Sequence, residues 1–155
     1  MLVRLLQEEL AAVEALRQLL QREYEALKSR DLPHLGQIIH AKQTCSERVQ
    51  DLIAKRLNYL QEQGFTANAP GLAAYVNAST PAEQVDLDRL WAELEHVAAQ
   101  ARHQNEINGA VIAASRNHVE RALAILRGRD PLDFLYNQET HKIPGSGNNR
   151  PIAKA

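Results

Sequence analysis

The chain has 155 residues and a formal net charge of −1, with 18 Lys and Arg against 19 Asp and Glu. This length is enough for one domain that buries a core without disulfides or metal ions. Acidic and basic residues alternate along every segment, so the sequence offers no basic face for nucleic acid or for an anionic membrane. Cys45 is the single cysteine. It excludes an internal disulfide, and we expect it to be a small packing residue.

Charged residues interrupt the apolar N-terminal segment every few positions. The segment therefore lacks the uninterrupted apolar stretch of a signal peptide or of a membrane span. We expect a cytoplasmic protein that does not insert into a membrane.

The first predicted helix covers residues 2–29, a span without Gly or Pro. Its apolar residues recur every seven positions, at Leu6, Val13, Leu20 and Leu27. That spacing places them on one face of an amphipathic helix.

The second predicted helix covers residues 31–63. Asp31 is a good N-cap, and Pro33 is tolerated in a first turn because its missing N–H would have no helical partner there. Gly64 is a natural C-terminal cap. The short connection to the first helix predicts an antiparallel helical hairpin.

A third long helix is predicted over residues 80–127, after a connector of residues 64–79 that holds one short helix. Thr80 as N-cap, Pro81 at the first position and Glu83 in a capping box mark its start. At 1.5 Å per residue it would be about 70 Å long, against roughly 40–50 Å for each of the first two helices. We therefore expect its second half to extend beyond its neighbours, where apolar residues would kink back, dimerise or receive a partner.

Polar residues occupy core positions in the middle of this third helix, at Gln104, Asn105 and Asn108. They predict a polar layer that fixes register or a locally exposed stretch. The alternative is a kink or a surface that receives another chain.

The sequence shows little catalytic or metal-binding chemistry. Glu93 and His96 form one Glu-x-x-His pair, but a di-iron bundle needs a second pair. No histidine pair has the spacing of a zinc-binding helix, and no nucleophile stands in an elbow context. We expect an all-α protein that is not an enzyme and that carries no metal or cofactor.

The segment DPLDFLY, residues 130–136, resembles a helix start capped by Asp130. Leu132, Leu135 and Tyr136 would then share one apolar face. This turn either folds back onto the bundle or orders when it docks on another protein. We expect a bundle domain of residues 1–129 and a mostly disordered tail of residues 130–155.

Several segments, taken in order, resemble the FlgN-type chaperones of the flagellar type III export system. The hairpin LLQREYEALKSRDLPHLGQIIHAKQ is similar to the leucine-rich hairpin of that family, and ALAILRG resembles the close of its last helix. The matching positions are Leu27, Arg30, Asp31, Leu32, Lys42, Asn105, Asn108, Gly109 and Tyr136.

This resemblance implies a chaperone without ATPase activity. It would bind the C-terminal amphipathic helices of hook-associated proteins, keep them unpolymerised and bring them to the export gate. Docking on the cytoplasmic domain of the gate would fall to Tyr136. From the pattern of the same segment, we expect Leu132, Phe134 and Leu135 to take part. The export ATPase complex would be a further partner.

An apolar helical surface is what such a chaperone must offer its client. The candidate client-binding residues lie on the second half of the third helix: Val111, Ile112, Val119, Leu123 and Leu126. Two other hypotheses stay open, a structural homodimer that pairs this helix with its own copy and a bundle that binds a metal or cofactor.

Overall fold

The computed structural model describes residues 1–127, and this part of the chain consists of α-helices with no strand. The helices are α1 (Leu2–Ser29), α2 (Leu32–Glu62), α3 (Ala69–Ala78) and α4 (Pro81–Leu126). The predicted all-α bundle is confirmed, including the short helix in the connector. None of the helices within residues 1–127 is both long and apolar enough to cross a bilayer.

The turn between α1 and α2 is tight because Arg30 adopts the left-handed conformation, with φ 57°. Its N–H donates to Leu27 O and the next N–H donates to Ala26 O, which caps the end of α1. The local sequence does not predict this conformation, since glycine normally adopts it and it costs an L residue about 1–2 kcal/mol. Asp31 then caps α2 as predicted, because its Oδ1 accepts from the His34 N–H at 3.1 Å.

The described part of the chain divides into two units, Met1–Ile112 and the rest of α4 from Ala113. The core of the first unit joins all four helices through buried apolar side chains. These are Leu2, Leu6, Val13, Leu60, Leu72, Val76, Leu87, Leu90 and Leu94. In the second unit, the described part of α4 carries an exposed ion pair between Arg116 and Glu120 at 2.8 Å.

Aromatic side chains hold helix α3 at the end of α2, and the loop before α3 closely approaches the first turn of that helix. The Tyr59 and Tyr75 hydroxyls lie 3.2 Å apart, and this hydrogen bond is the main reason that the pKa of Tyr75 rises to about 12. Asn68 caps the helix by accepting from the Gly71 N–H at 2.9 Å. A Cβ on Gly71 would collide with the carbonyl oxygen of Thr66, so only glycine fits there.

We predict opposite effects on stability for alanine at Gly71 and at Gly109. Gly71→Ala should lower the free energy of unfolding by about 1–3 kcal/mol, because the backbone of the loop before α3 must move. Gly109→Ala should raise it by up to about 1 kcal/mol, because Gly109 lies within α4 with open space around it. Urea unfolding followed by circular dichroism measures both. A Gly71→Ala protein as stable as the wild type would contradict the close approach.

Candidate functional site

Two buried carboxylates lie on one face of α1. Glu9 is 3% exposed and Glu23 is 1% exposed. They are two heptads apart, so they share a face of the helix with Leu16 midway between them. A carboxylate is costly to bury unless it is paired and hydrogen-bonded, and both of these are.

Glu9 is paired with Arg56 of α2. The guanidinium donates to both carboxylate oxygens, with Nε–Oε2 2.7 Å and Nη2–Oε1 3.2 Å. The same guanidinium lies 5.1 Å from the ring centroid of Trp91 on α4, a cation–π distance. This layer therefore connects α1, α2 and α4 through one buried charge pair.

Glu23 forms the second layer. Lys42 Nζ of α2 donates to its Oε1 at 2.7 Å, and Asn108 Nδ2 of α4 donates to its Oε2 at 2.7 Å. Asn108, itself 1% exposed, also donates to the carbonyl of Leu20 at 2.8 Å. Gln104 Nε2 donates to Asn108 Oδ1 at 3.0 Å. Of the two alternatives for these polar residues, the layer is confirmed at Asn108, and α4 stays helical through it.

An apolar groove lies between these two layers, and we call it the α2–α4 groove. Its cavity volume is about 420 Å³. Helix α1 contributes Val13, Leu16 and Leu20, α2 contributes Ser46, Val49 and Ile53, and α4 contributes Trp91, Leu94, Ala98 and Ala101. Several of these side chains are only half-buried, namely Leu16, Val49, Ile53, Trp91 and Ala98. The groove is thus an accessible apolar surface inside the first unit.

Sequence reasoning missed this groove. The signal was present, because Glu9 and Glu23 interrupt an otherwise apolar face of α1 at heptad spacing, as Lys42 and Arg56 do on α2. What the sequence does not show is that α2 and α4 both meet the same face of α1.

The predicted client-binding residues are on the surface of α4. In the first unit Val111 is half-buried and Ile112 is 48% exposed. In the second unit Val119 is 55% exposed, Leu123 42% and Leu126 82%. The last three follow i, i+4, i+7 spacing and form an exposed apolar stripe on α4, which we call the α4 stripe. The predicted gate-docking residues, Leu132, Phe134, Leu135 and Tyr136, lie outside the described residues.

Within residues 1–127, potential metal ligands are not clustered and the Cys45 thiol is only partly accessible. No three His, Cys, Asp or Glu side chains in this part of the chain are placed to hold a metal. His96 is exposed and contacts Gln100 Nε2 at 3.0 Å. Cys45 is half-buried with Sγ 3.5 Å from Ala12 O, and its burial raises the pKa of the thiol. Cys45 packs between α1 and α2, as expected.

The family model described as FlgN protein matches residues 1–140. The chain belongs to the FlgN family. A flagella synthesis protein FlgN of Pseudomonas aeruginosa, known from a crystal structure at 1.48 Å, is 29% identical to it. That match covers 72% of this chain and 85% of the other, with a TM-score of 0.65. No curated protein matches the chain. Family and neighbour together support a role connected with the flagellum, and the resemblance seen in the sequence is confirmed.

We predict that Arg56→Leu strongly destabilises the protein because it leaves Glu9 buried without a partner. The expected loss in the free energy of unfolding is about 3–5 kcal/mol. The double variant Glu9→Leu with Arg56→Leu should recover most of it, since an apolar pair of similar size needs no ionic partner. Denaturant unfolding of the two variants measures this difference.

Arg4→Leu is the matched control for this prediction. It removes an ion pair with Glu8 whose side chains are 76% and 40% exposed. Exposed pairs contribute little, so its stability should stay close to that of the wild type. The double variant should be more stable than Arg56→Leu alone. If it is not, the loss in the free energy of unfolding does not come from leaving Glu9 unpaired.

Proposed function

We propose that this FlgN-family protein is a cytoplasmic flagellar export chaperone without catalytic activity. It binds the C-terminal amphipathic helices of hook-associated proteins, prevents their premature polymerisation and delivers them to the type III export gate. The observation that carries the proposal is the family match over residues 1–140.

The surface of α4 supports client binding. Apolar side chains at i, i+4 and i+7 on a helix are the anchors through which one amphipathic helix pairs with another. In the α4 stripe these anchors, Val119, Leu123 and Leu126, are 42–82% exposed. Ile112, in the first unit, is a further exposed anchor. A client that polymerises through apolar helices needs such a surface to cover them.

Delivery to the gate is assigned to the tail. The segment with Leu132, Phe134, Leu135 and Tyr136 docks on the cytoplasmic domain of the gate, and the export ATPase complex is a further partner. An aromatic residue with one polar group suits this role, because it gives a large contact area at low cost in rotamer entropy. Docking outside the client surface lets one molecule hold client and gate together.

We predict that Val119→Asp weakens client binding without a comparable loss of stability. A carboxylate in the α4 stripe would be desolvated by the client helix, so the Kd should rise by about tenfold or more. Titration calorimetry with a synthetic peptide of the C-terminal helices of a hook-associated protein from the source organism measures it.

Val85→Asp is the matched control, since Val85 is a 68% exposed valine elsewhere on α4. It should bind the peptide like the wild type. Equal affinities for both variants would mean that the client does not use the α4 stripe. If the wild type fails to bind the peptide and its mass in sedimentation rises with concentration, the homodimer is the better hypothesis.

We predict that Tyr136→Ala leaves helicity, melting temperature and client binding unchanged but weakens capture by the gate. The physical reason is that the tyrosine contributes its contact area only to the docked complex. Binding to the purified cytoplasmic domain of the gate, measured by calorimetry, should become at least about tenfold weaker. A large drop in melting temperature would instead favour the fold-back of the tail onto the bundle.

A further inference from the structure

The α2–α4 groove is lined by three helices, α1, α2 and α4, and is open on the side where a four-helix bundle would have its fourth helix. In a four-helix bundle each helix packs against two neighbours around a common core. Here α2 and α4 both pack on α1, and the side chains that line the space between them belong to these three helices. One small residue on the α4 side, the half-buried Ala98, leaves room for another backbone to approach.

The length of the groove is set by the two charged layers that close its ends. Glu9 and Glu23 are two heptads apart on α1, which is about 21 Å along a helix. An inserted helix of about 12–14 residues would span that distance, with apolar anchors every three or four residues. The groove is therefore long enough for apolar anchors at i, i+3, i+4 and i+7, the spacing with which amphipathic helices bind in grooves.

The rim of the groove carries two exposed charges of opposite sign. Glu95 and Arg102 of α4 are exposed at the rim, two turns apart, and neither forms an ion pair with another residue of the range 1–127. Lys42 lies at the same end of the groove as Arg102 and already pairs with Glu23. A matching helix has an acidic residue beside Arg102 and a basic residue beside Glu95. Such an arrangement fixes the direction in which the helix enters.

We propose that the α2–α4 groove binds one amphipathic helix of the client protein and completes a four-helix bundle with α1, α2 and α4. This proposal rests on the chaperone function proposed above. It adds a second client contact to the α4 stripe.

A tryptophan at Ala98 tests the proposal by filling the groove. Ala98 is half-buried in the groove, whereas Ala99, the next residue on the same helix, is exposed. With the client peptide in titration calorimetry, Ala98→Trp should raise the Kd by about tenfold or more and Ala99→Trp should leave it unchanged. Equal binding by wild type and Ala98→Trp would overturn the groove proposal and leave the chaperone function standing. A wild type that does not bind the peptide would overturn both.

A second test reverses a charge at the rim of the groove and leaves the buried side chains unchanged. Arg102→Glu changes an exposed side chain, so the fold should be unaffected. It should weaken binding of the client peptide by at least about threefold at low salt, and a peptide with its facing acidic residue changed to Lys should restore the affinity. Failure of every such single acid-to-Lys peptide to restore binding would contradict the proposed pairing.

Photo-crosslinking identifies the occupant directly. With Ser46→benzoylphenylalanine in the full chain, irradiation beside the client peptide should give an adduct with the mass of chain plus peptide. An adduct of two chains would show that a second copy fills the groove. An internal adduct to residues 128–155 in the presence of the peptide would show that the tail does, and either result would overturn the proposal.

Discussion

Two carboxylates inside the bundle determine how its helices are arranged. Glu9 and Glu23 are almost fully buried on α1, and each would cost several kcal/mol if it were left unpaired. Each carboxylate is paired with one cationic side chain from α2, and α4 contributes Trp91 to the first layer and Asn108 to the second. The favourable arrangement of α2 and α4 on α1 is therefore the one in which Glu9 and Glu23 are both paired.

This constraint explains why the first unit has a groove where a further helix could pack. The two layers hold α2 and α4 against the same face of α1, one layer at each end of an apolar stretch of about four turns. Between the layers, Val13 and Leu94 are buried in the core, while Leu16 and Trp91 are only half-buried. We infer that the layers favour one register of the helices, since polar groups inside a helical bundle exclude the registers that leave them unpaired. The apolar surface of the groove is then accessible in the free protein.

Much of the fold could be predicted from the sequence because its signals are local. The seven-residue spacing of apolar residues in α1 and the caps at Asp31 and Thr80 define where helices run and begin. The left-handed Arg30 could not be predicted, since nothing in its local sequence replaces the glycine usual at that position. Asn108 was recognised as one of three polar residues in a core stripe, but its partner Glu23 is distant in sequence and only the packed structure shows the pair.

Of the two candidate surfaces, the α4 stripe could be predicted from the sequence and the α2–α4 groove could not. The exposure of Val119, Leu123 and Leu126 agrees with the prediction that the second half of α4 carries unburied apolar residues. The α2–α4 groove was missed because it is a property of three helices together, and periodicity describes one helix at a time.

The most direct test of this account is hydrogen–deuterium exchange of the full chain with and without the saturating client peptide, read by mass spectrometry. A helix that completes the bundle should slow exchange in residues 42–56 of α2 and 91–105 of α4, because opening of these segments would require its release. Slower exchange in residues 113–126 should accompany it. Unchanged exchange in residues 42–56 and 91–105 with bound peptide would contradict the central claim that the groove receives a client helix.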